Sequence, residues 1–170
     1  MDLILGIDPG SRATGFGLVA VDGTRFRCLG AGVLRTRAGW DLAERLHRIH
    51  EGLVEVIRRH RPTAAAVENV FQARNPRSAL LLGHVRGVAI LAAVREGIPV
   101  FEYTPTQVKQ AVVGYGRAEK GQVQHMVRLL LNLERRPPQD AADALGVAVC
   151  HANFAAGPLA RAAQQAGRAP

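Results

Sequence analysis

What most constrains the fold is the order in which the hydrophobic period changes along the chain. Residues 3–7, Leu-Ile-Leu-Gly-Ile, are an apolar run closed by Asp8-Pro9-Gly10, the pattern of a buried strand ending in a turn. Residues 15–21 form a second run, and Asp22-Gly23 after it is a hairpin signal. A third strand falls within residues 25–36, so the chain opens as a three-stranded antiparallel meander. Then the period lengthens. Leu42, Leu46, Ile49, Leu53 and Ile57 recur every three or four residues and predict a helix from about Asp41 to His60, stopped by Pro62. Residues 64–70 and 98–103 read as two further strands. Helices are expected over 78–95, 105–112, 119–132 and from Asp140 to about Phe154.

The segment 78–95 is apolar almost all round, through Leu80, Leu81, Leu82, Val85, Val88, Ile90, Leu91 and Val94. Such a helix needs burial on more than one face, in the core or at a dimer interface. A chain of 170 residues suits one domain, expected over 1–156. The Ala, Gln, Gly and Arg of residues 157–170 have little to pack and read as a flexible basic tail. No apolar run reaches the ~18 residues of a bilayer span, so no membrane partner is expected and the cytoplasm is the default. Cys28 and Cys150 lie far apart without metal-ligand spacing and read as buried thiols.

Charge narrows the function. Lys plus Arg is 22 against 14 Asp plus Glu, a net charge of +8, which suggests a polyanionic partner, nucleic acid being the commonest. Lys109 and Lys120 are the only lysines in an otherwise arginine set. Either this is chance, or these two positions need a compact ammonium rather than a planar fork.

The carboxylates carry the chemistry. Asp8 ends the first strand and Glu68 lies near the end of the fourth; if these strands are parallel neighbours, both point from one edge of the sheet. Asp140 and Asp143 are three apart at the start of the last helix and share a face. Four carboxylates gathered there repel one another, by ~4 kcal/mol for a pair ~4 Å apart at an effective dielectric of 20. Divalent cations remove that cost. Magnesium, with manganese as the alternative, takes oxygen ligands, and two such ions can drive in-line attack on a phosphodiester. Each residue also has a plainer reading: Asp8 as a turn residue, Asp140 as a helix cap, Asp143 as a partner of the helix dipole. Glu68 is harder to set aside, because a carboxylate in an apolar strand needs a partner.

The order of elements resembles the ribonuclease H-like fold, an α/β architecture with a five-stranded mixed sheet flanked by helices. That fold hosts nucleases, recombinases and ATPases, so it leaves function open. Four stretches point further. Gly6-Ile7-Asp8-Pro9-Gly10-Ser11-Arg12-Ala13-Thr14-Gly15-Phe16-Gly17, Glu68-Asn69-Val70-Phe71, the run from Gln107 through Lys120 to Val127, and Asp140-Ala141-Ala142-Asp143-Ala144-Leu145 resemble, in order, the motifs of the RuvC family of Holliday-junction resolvases. The resemblance covers roughly residues 1–155. It implies a homodimer that binds a four-way DNA junction and resolves it by paired symmetric nicks, in recombination and repair. It also implies an association with the RuvA–RuvB branch-migration complex. By motif match, Asp8, Glu68, Asp140 and Asp143 are the expected catalytic and metal-binding residues, with two ions per site. Lys109 and Lys120 match basic positions near the scissile strand, and Phe71 matches an aromatic that stacks on opened bases; Arg74 and Arg77 are further expected DNA contacts. One departure is Asn69, where the family often has Gln. Three rivals remain: an actin-like ATPase, which needs a second such half that the chain is too short for; a ribonuclease H acting on hybrids; and a junction-binding module without catalysis.

Overall fold

The computed structural model describes residues 2–69 and 75–155, with only the backbone at Lys120. Five strands form one mixed sheet. They are β1 (Asp2–Asp8), β2 (Ala13–Asp22), β3 (Arg25–Arg35), β4 (Ala64–Glu68) and β5 (Val100–Tyr103), in the order β3-β2-β1-β4-β5. The meander is antiparallel, while β1–β4 and β4–β5 are parallel. This is the ribonuclease H-like arrangement. At the first hairpin Asp22 pairs with Arg25, and Gly23 takes the positive φ of 59° that the tight turn requires.

The helices are α1 (Leu42–His60), α2 (Pro76–Arg95), α3 (Pro105–Val113), α4 (Lys120–Leu130) and α5 (Gln139–Ala155). Their starts are written locally. Asp41 and Glu44 close a reciprocal capping box on α1, and Thr104 with Gln107 does the same on α3, where Pro105 takes the first helical position. Asn75 Oδ1 accepts the Ser78 N–H at the start of α2, again with proline next.

Each face of the sheet buries its own core. Leu5, Ile7, Leu18, Ala65 and Val67 pack with Ile49 and Leu53 of α1 and with Val85 and Ala89 of α2. Ile4, Val19 and Ala66 pack on the other face with Leu145, Val147 and Ala148 of α5, backed by Val108 of α3 and Val127 of α4. Strand alternation therefore assigns the ends of β1 and β4. Asp8 falls on the face of Ile4 and Gly6, and Glu68 on the face of Ala66: both face α5.

The two apolar helices exchange the roles that composition suggests. The helix buried all round is α5, whose residues Ala141 to Ala152 are buried except Asp143. Its small side chains let it lie between the sheet and α3–α4. In α2 only Val85, Ala89, Ala92 and Ala93 are buried, and Leu80, Leu91 and Val94 are exposed. By length and composition α2 is the one described helix that could cross a bilayer. Its mid-helix Arg86, however, is ion-paired to Glu102 of β5. The far end of α5 is pinned to β5 by a buried 2.8 Å hydrogen bond between Tyr103 Oη and His151 Nδ1. Cys150 is buried as expected, but Cys28 is only half-buried, because β3 is an edge strand. The tail expected over 157–170 lies outside the described residues.

Candidate active site

Glycine decides how close α5 comes to the sheet. A β-carbon at Gly6 would collide with the carbonyl oxygen of Ala144, one at Gly15 with that of Asp140, and one at Gly17 with the side chain of Leu145. With hydrogen in those places, the helix backbone rests directly on β1 and β2. Gly15 is the register partner of Asp8. The contact at Gly15 thus sets the first turn of α5, with Asp140, beside the end of the central strand. The parallel register Ile7–Val67 puts Glu68 on the next strand at the same level.

Glu68, Asp140 and Asp143 consequently all come within electrostatic reach of Asp8. Burial pushes the Asp8 carboxyl up from 3.8 to about 8, and the charges of Glu68, Asp143 and Asp140 push in the same direction. A hydrogen bond between the Asp8 and Glu68 side chains adds to the rise. Among the described residues, every influence on Asp8 raises it. Among the same residues no group of three His, Cys, Asp or Glu side chains is already closed around one point as in a finished metal site. Within the cluster it is Asp8 that is held protonated, by its burial and by the carboxylates around it. Its donor set, all carboxylate oxygen, suits a hard divalent cation.

Two supporting contacts were not anticipated from the sequence. Gln139 Nε2 donates to Asp143 Oδ1 and Oδ2 at 3.0 and 3.1 Å, holding that carboxylate one helical turn away. The four-residue spacing on a helix is the signal that points to it. Thr14, fully buried, donates from Oγ1 to the Gly10 carbonyl at 2.8 Å and accepts the Gly10 N–H at 3.3 Å. This fixes the Asp8-Pro9-Gly10 turn to β2. A threonine two residues past a Gly-Ser-Arg turn gives no such signal on its own.

Of the expected DNA contacts, Lys109 is half-buried on α3 and forms no ion pair among the described residues. Arg77 is exposed in the first turn of α2. Lys120 opens α4, but its side chain is outside the described residues, as are Phe71 and Arg74 altogether.

Fold and cluster define a ribonuclease H-like domain with an acidic centre at the carboxyl ends of its central parallel strands. The family model "Crossover junction endodeoxyribonuclease RuvC" matches residues 4–151, and the chain belongs to that family. It is 56% identical to the RuvC of Photorhabdus laumondii over 91% of this chain and 88% of that one. Against the RuvC of Geobacter metallireducens identity is 58%, over 89% and 93%. Among solved structures, Thermus thermophilus RuvC in complex with Holliday junction substrate superposes with a TM-score of 0.87 at 42% identity, over 92% of this chain and 96% of that one. The yeast mitochondrial Holliday junction resolvase, at 14% identity and a TM-score of 0.64, shares the fold.

Proposed function

We propose that this protein resolves four-way DNA junctions by paired, metal-dependent nicking, with Asp8, Glu68, Asp140 and Asp143 holding the metal. The observation that carries the reading is the Asp8 carboxyl, held protonated to about 8 by burial and three neighbouring carboxylates. A cluster of that kind is costly to keep unless cations complete it. Family membership over residues 4–151 supplies the substrate class.

In this reading Asp8 and Glu68 share a proton that leaves when the site is loaded, so loading strengthens as pH rises. Gln139 holds Asp143 facing the site through both carboxylate oxygens. Thr14 keeps the turn after Asp8 from moving as charge arrives. Bound magnesium or manganese, two ions per site, would activate a water and stabilise the leaving oxygen of a phosphodiester. Lys109 and Lys120 would hold strand phosphates as point charges. Phe71, Arg74 and Arg77 would contact the opened bases and flanking backbone. The net charge of +8 supports a phosphate-rich substrate.

Symmetric nicks need two sites, and a homodimer supplies them. The exposed apolar side chains Leu80, Leu91 and Val94 make α2 the surface we assign to it. A RuvA–RuvB complex as partner and a cytoplasmic location follow from the family reading. The two free cysteines fit a reducing compartment.

The test is cleavage of an end-labelled mobile four-way junction beside a linear duplex of the same sequence, in magnesium and in chelator. Symmetric nicks in the junction alone, only with magnesium, are expected. Equal cutting of both DNAs would leave a metal nuclease without junction selectivity.

A further inference from the structure

Among the described residues three Phe, Tyr or Trp side chains are exposed: Phe101, Tyr115 and Phe154. Two of them rest on other rings. Phe101 lies on His151 with centroids 4.4 Å apart, and Phe154 lies on Tyr103 at 5.4 Å. The Tyr115 side chain has neither a ring neighbour nor a hydrogen-bond partner among the described residues. A single apolar side chain on a surface needs no explanation, but the setting of this one is particular. Its loop is fixed on both sides. Gly114 caps α3 at a φ of 94°, its N–H donating to the Gln110 carbonyl at 2.9 Å. Gly116 lies against Thr106, where an added β-carbon would come within 2.7 Å of Thr106 Cγ2.

Thr106 places the loop in the molecule. It lies in the first turn of α3, three residues past Tyr103, and Tyr103 is the register partner of Glu68. Adjacent strands lie ~4.8 Å apart and three residues reach at most ~11 Å, so Thr106 is within ~16 Å of Glu68, about five nucleotide steps of ~3.4 Å. The loop therefore belongs to the acidic end of the sheet. Cations flank the ring along the chain: Lys109 on α3 and Arg117 in the loop form no ion pair among the described residues. An exposed ring on a fixed loop, between two such cations, has the chemistry of a platform for an unpaired nucleobase. Every base offers a π-face, and the cations suit the phosphates on either side of it. We propose that Tyr115 stacks on one base left unpaired at the branch point of the junction, with Lys109 and Arg117 on the flanking phosphates. The paired bases of a linear duplex are already stacked and offer no free face, so the contact favours branched DNA over duplex. Because the glycines hold the loop beforehand, little ordering is lost on binding. This rests on the junction-nuclease reading above.

The experiment places 5-iododeoxyuridine at each thymine position around the branch point of a four-way junction, one at a time. Each junction is irradiated with wild type in chelator, so that nothing is cut, and the cross-linked protein is digested with trypsin for mass spectrometry. Trypsin releases residues 110–117, Gln-Ala-Val-Val-Gly-Tyr-Gly-Arg, in which Tyr115 is the only aromatic. A cross-link in that peptide is expected from one or two junction positions and from no position of the linear duplex. Binding with metal withheld is then compared for wild type, Tyr115→Phe, Tyr115→Ala and Phe154→Ala. Tyr115→Ala should bind the junction about tenfold more weakly, the scale of one base stacked on an aromatic ring, with duplex affinity unchanged. Tyr115→Phe keeps the ring and should stay within about twofold of wild type. Phe154→Ala removes an exposed ring from the last turn of α5, ~21 Å along the helix from Asp140, and should have no effect. No cross-link in 110–117, unchanged junction binding in Tyr115→Ala, or equal weakening of junction and duplex overturns the proposal. A wild type that prefers no junction over duplex overturns the junction reading itself, and the proposal falls with it.

Discussion

Removing the charge of Asp8 is expected to stabilise the metal-free protein while abolishing its chemistry. In the folded state the carboxyl titrates near 8; in the unfolded chain it titrates near its ordinary 3.8. Between those pH values the folded state holds a proton that the unfolded state has released, so stability falls as pH rises. Below about pH 4 both states are protonated and the cost vanishes; above about pH 8 it is complete. At ~1.4 kcal/mol for each pH unit the interval is worth at most ~6 kcal/mol. Part of that belongs to the proton shared with Glu68, whose carboxyl stays after substitution, so ~2–4 kcal/mol is the expected gain for Asp8→Asn at pH 8. For a chain of this length that is a melting temperature higher by ~5 °C or more. The assay is thermal unfolding of both proteins in chelator from pH 4 to 9. Wild type should lose stability across the range, and Asp8→Asn should lose much less. Saturating magnesium should raise wild type and leave Asp8→Asn nearly unmoved. Parallel curves for the two proteins between pH 4 and 8 would show that the Asp8 carboxyl carries no such cost.

Other consequences can be measured on the same protein. Gly15→Ala should lift the first turn of α5 from β2, costing at least ~1–3 kcal/mol in denaturant unfolding and most of the nicking rate. Gly30→Ala, whose new methyl would meet only the Leu18 side chain at 3.8 Å, should cost little in the same measurement. Thr14→Val should leave both Gly10 backbone groups unpartnered and cost ~1–3 kcal/mol, with Thr14→Ser recovering most of it. Leu91→Asp, on the exposed face of α2, should shift sedimentation from dimer to monomer without altering the far-ultraviolet dichroism. Junction affinity should fall steeply with added salt in a titration, since phosphates supply much of it.

Much of the fold was legible because its signals are local. The apolar run into Asp8-Pro9-Gly10, the Asp22-Gly23 turn and the 3.6-residue period of α1 each name an element without reference to the rest. The face of Glu68 followed from alternation alone. Burial of the helices was not legible in the same way. Leucine-rich 78–95 looks more buried than alanine-rich 139–155, yet α5 is the enclosed one. Hydrophobicity reports the free energy available from burial, whereas close approach depends on small side chains and on the glycines they meet across the sheet. Gly6, Gly15 and Gly17 are strand residues whose purpose appears only when α5 is in place. Likewise Thr14 fixes the turn after Asp8 through a contact that no spacing rule announces, whereas the four-residue spacing of Gln139 and Asp143 does point to theirs. The half-exposure of Cys28 follows from the edge position of β3, a property of strand order rather than of its own surroundings in sequence.

Glu68→Gln on a four-way junction decides whether the four-carboxylate cluster is the cutting centre of a junction resolvase. Binding by gel shift with metal withheld and nicking in magnesium are measured on the same preparation. Junction binding within about twofold of wild type is expected, because one neutralised carboxylate removes no phosphate contact, together with complete loss of symmetric nicks. Nicking that persists at the wild-type rate would contradict that role of the cluster, and so would a loss of binding that fully accounts for the loss of cutting.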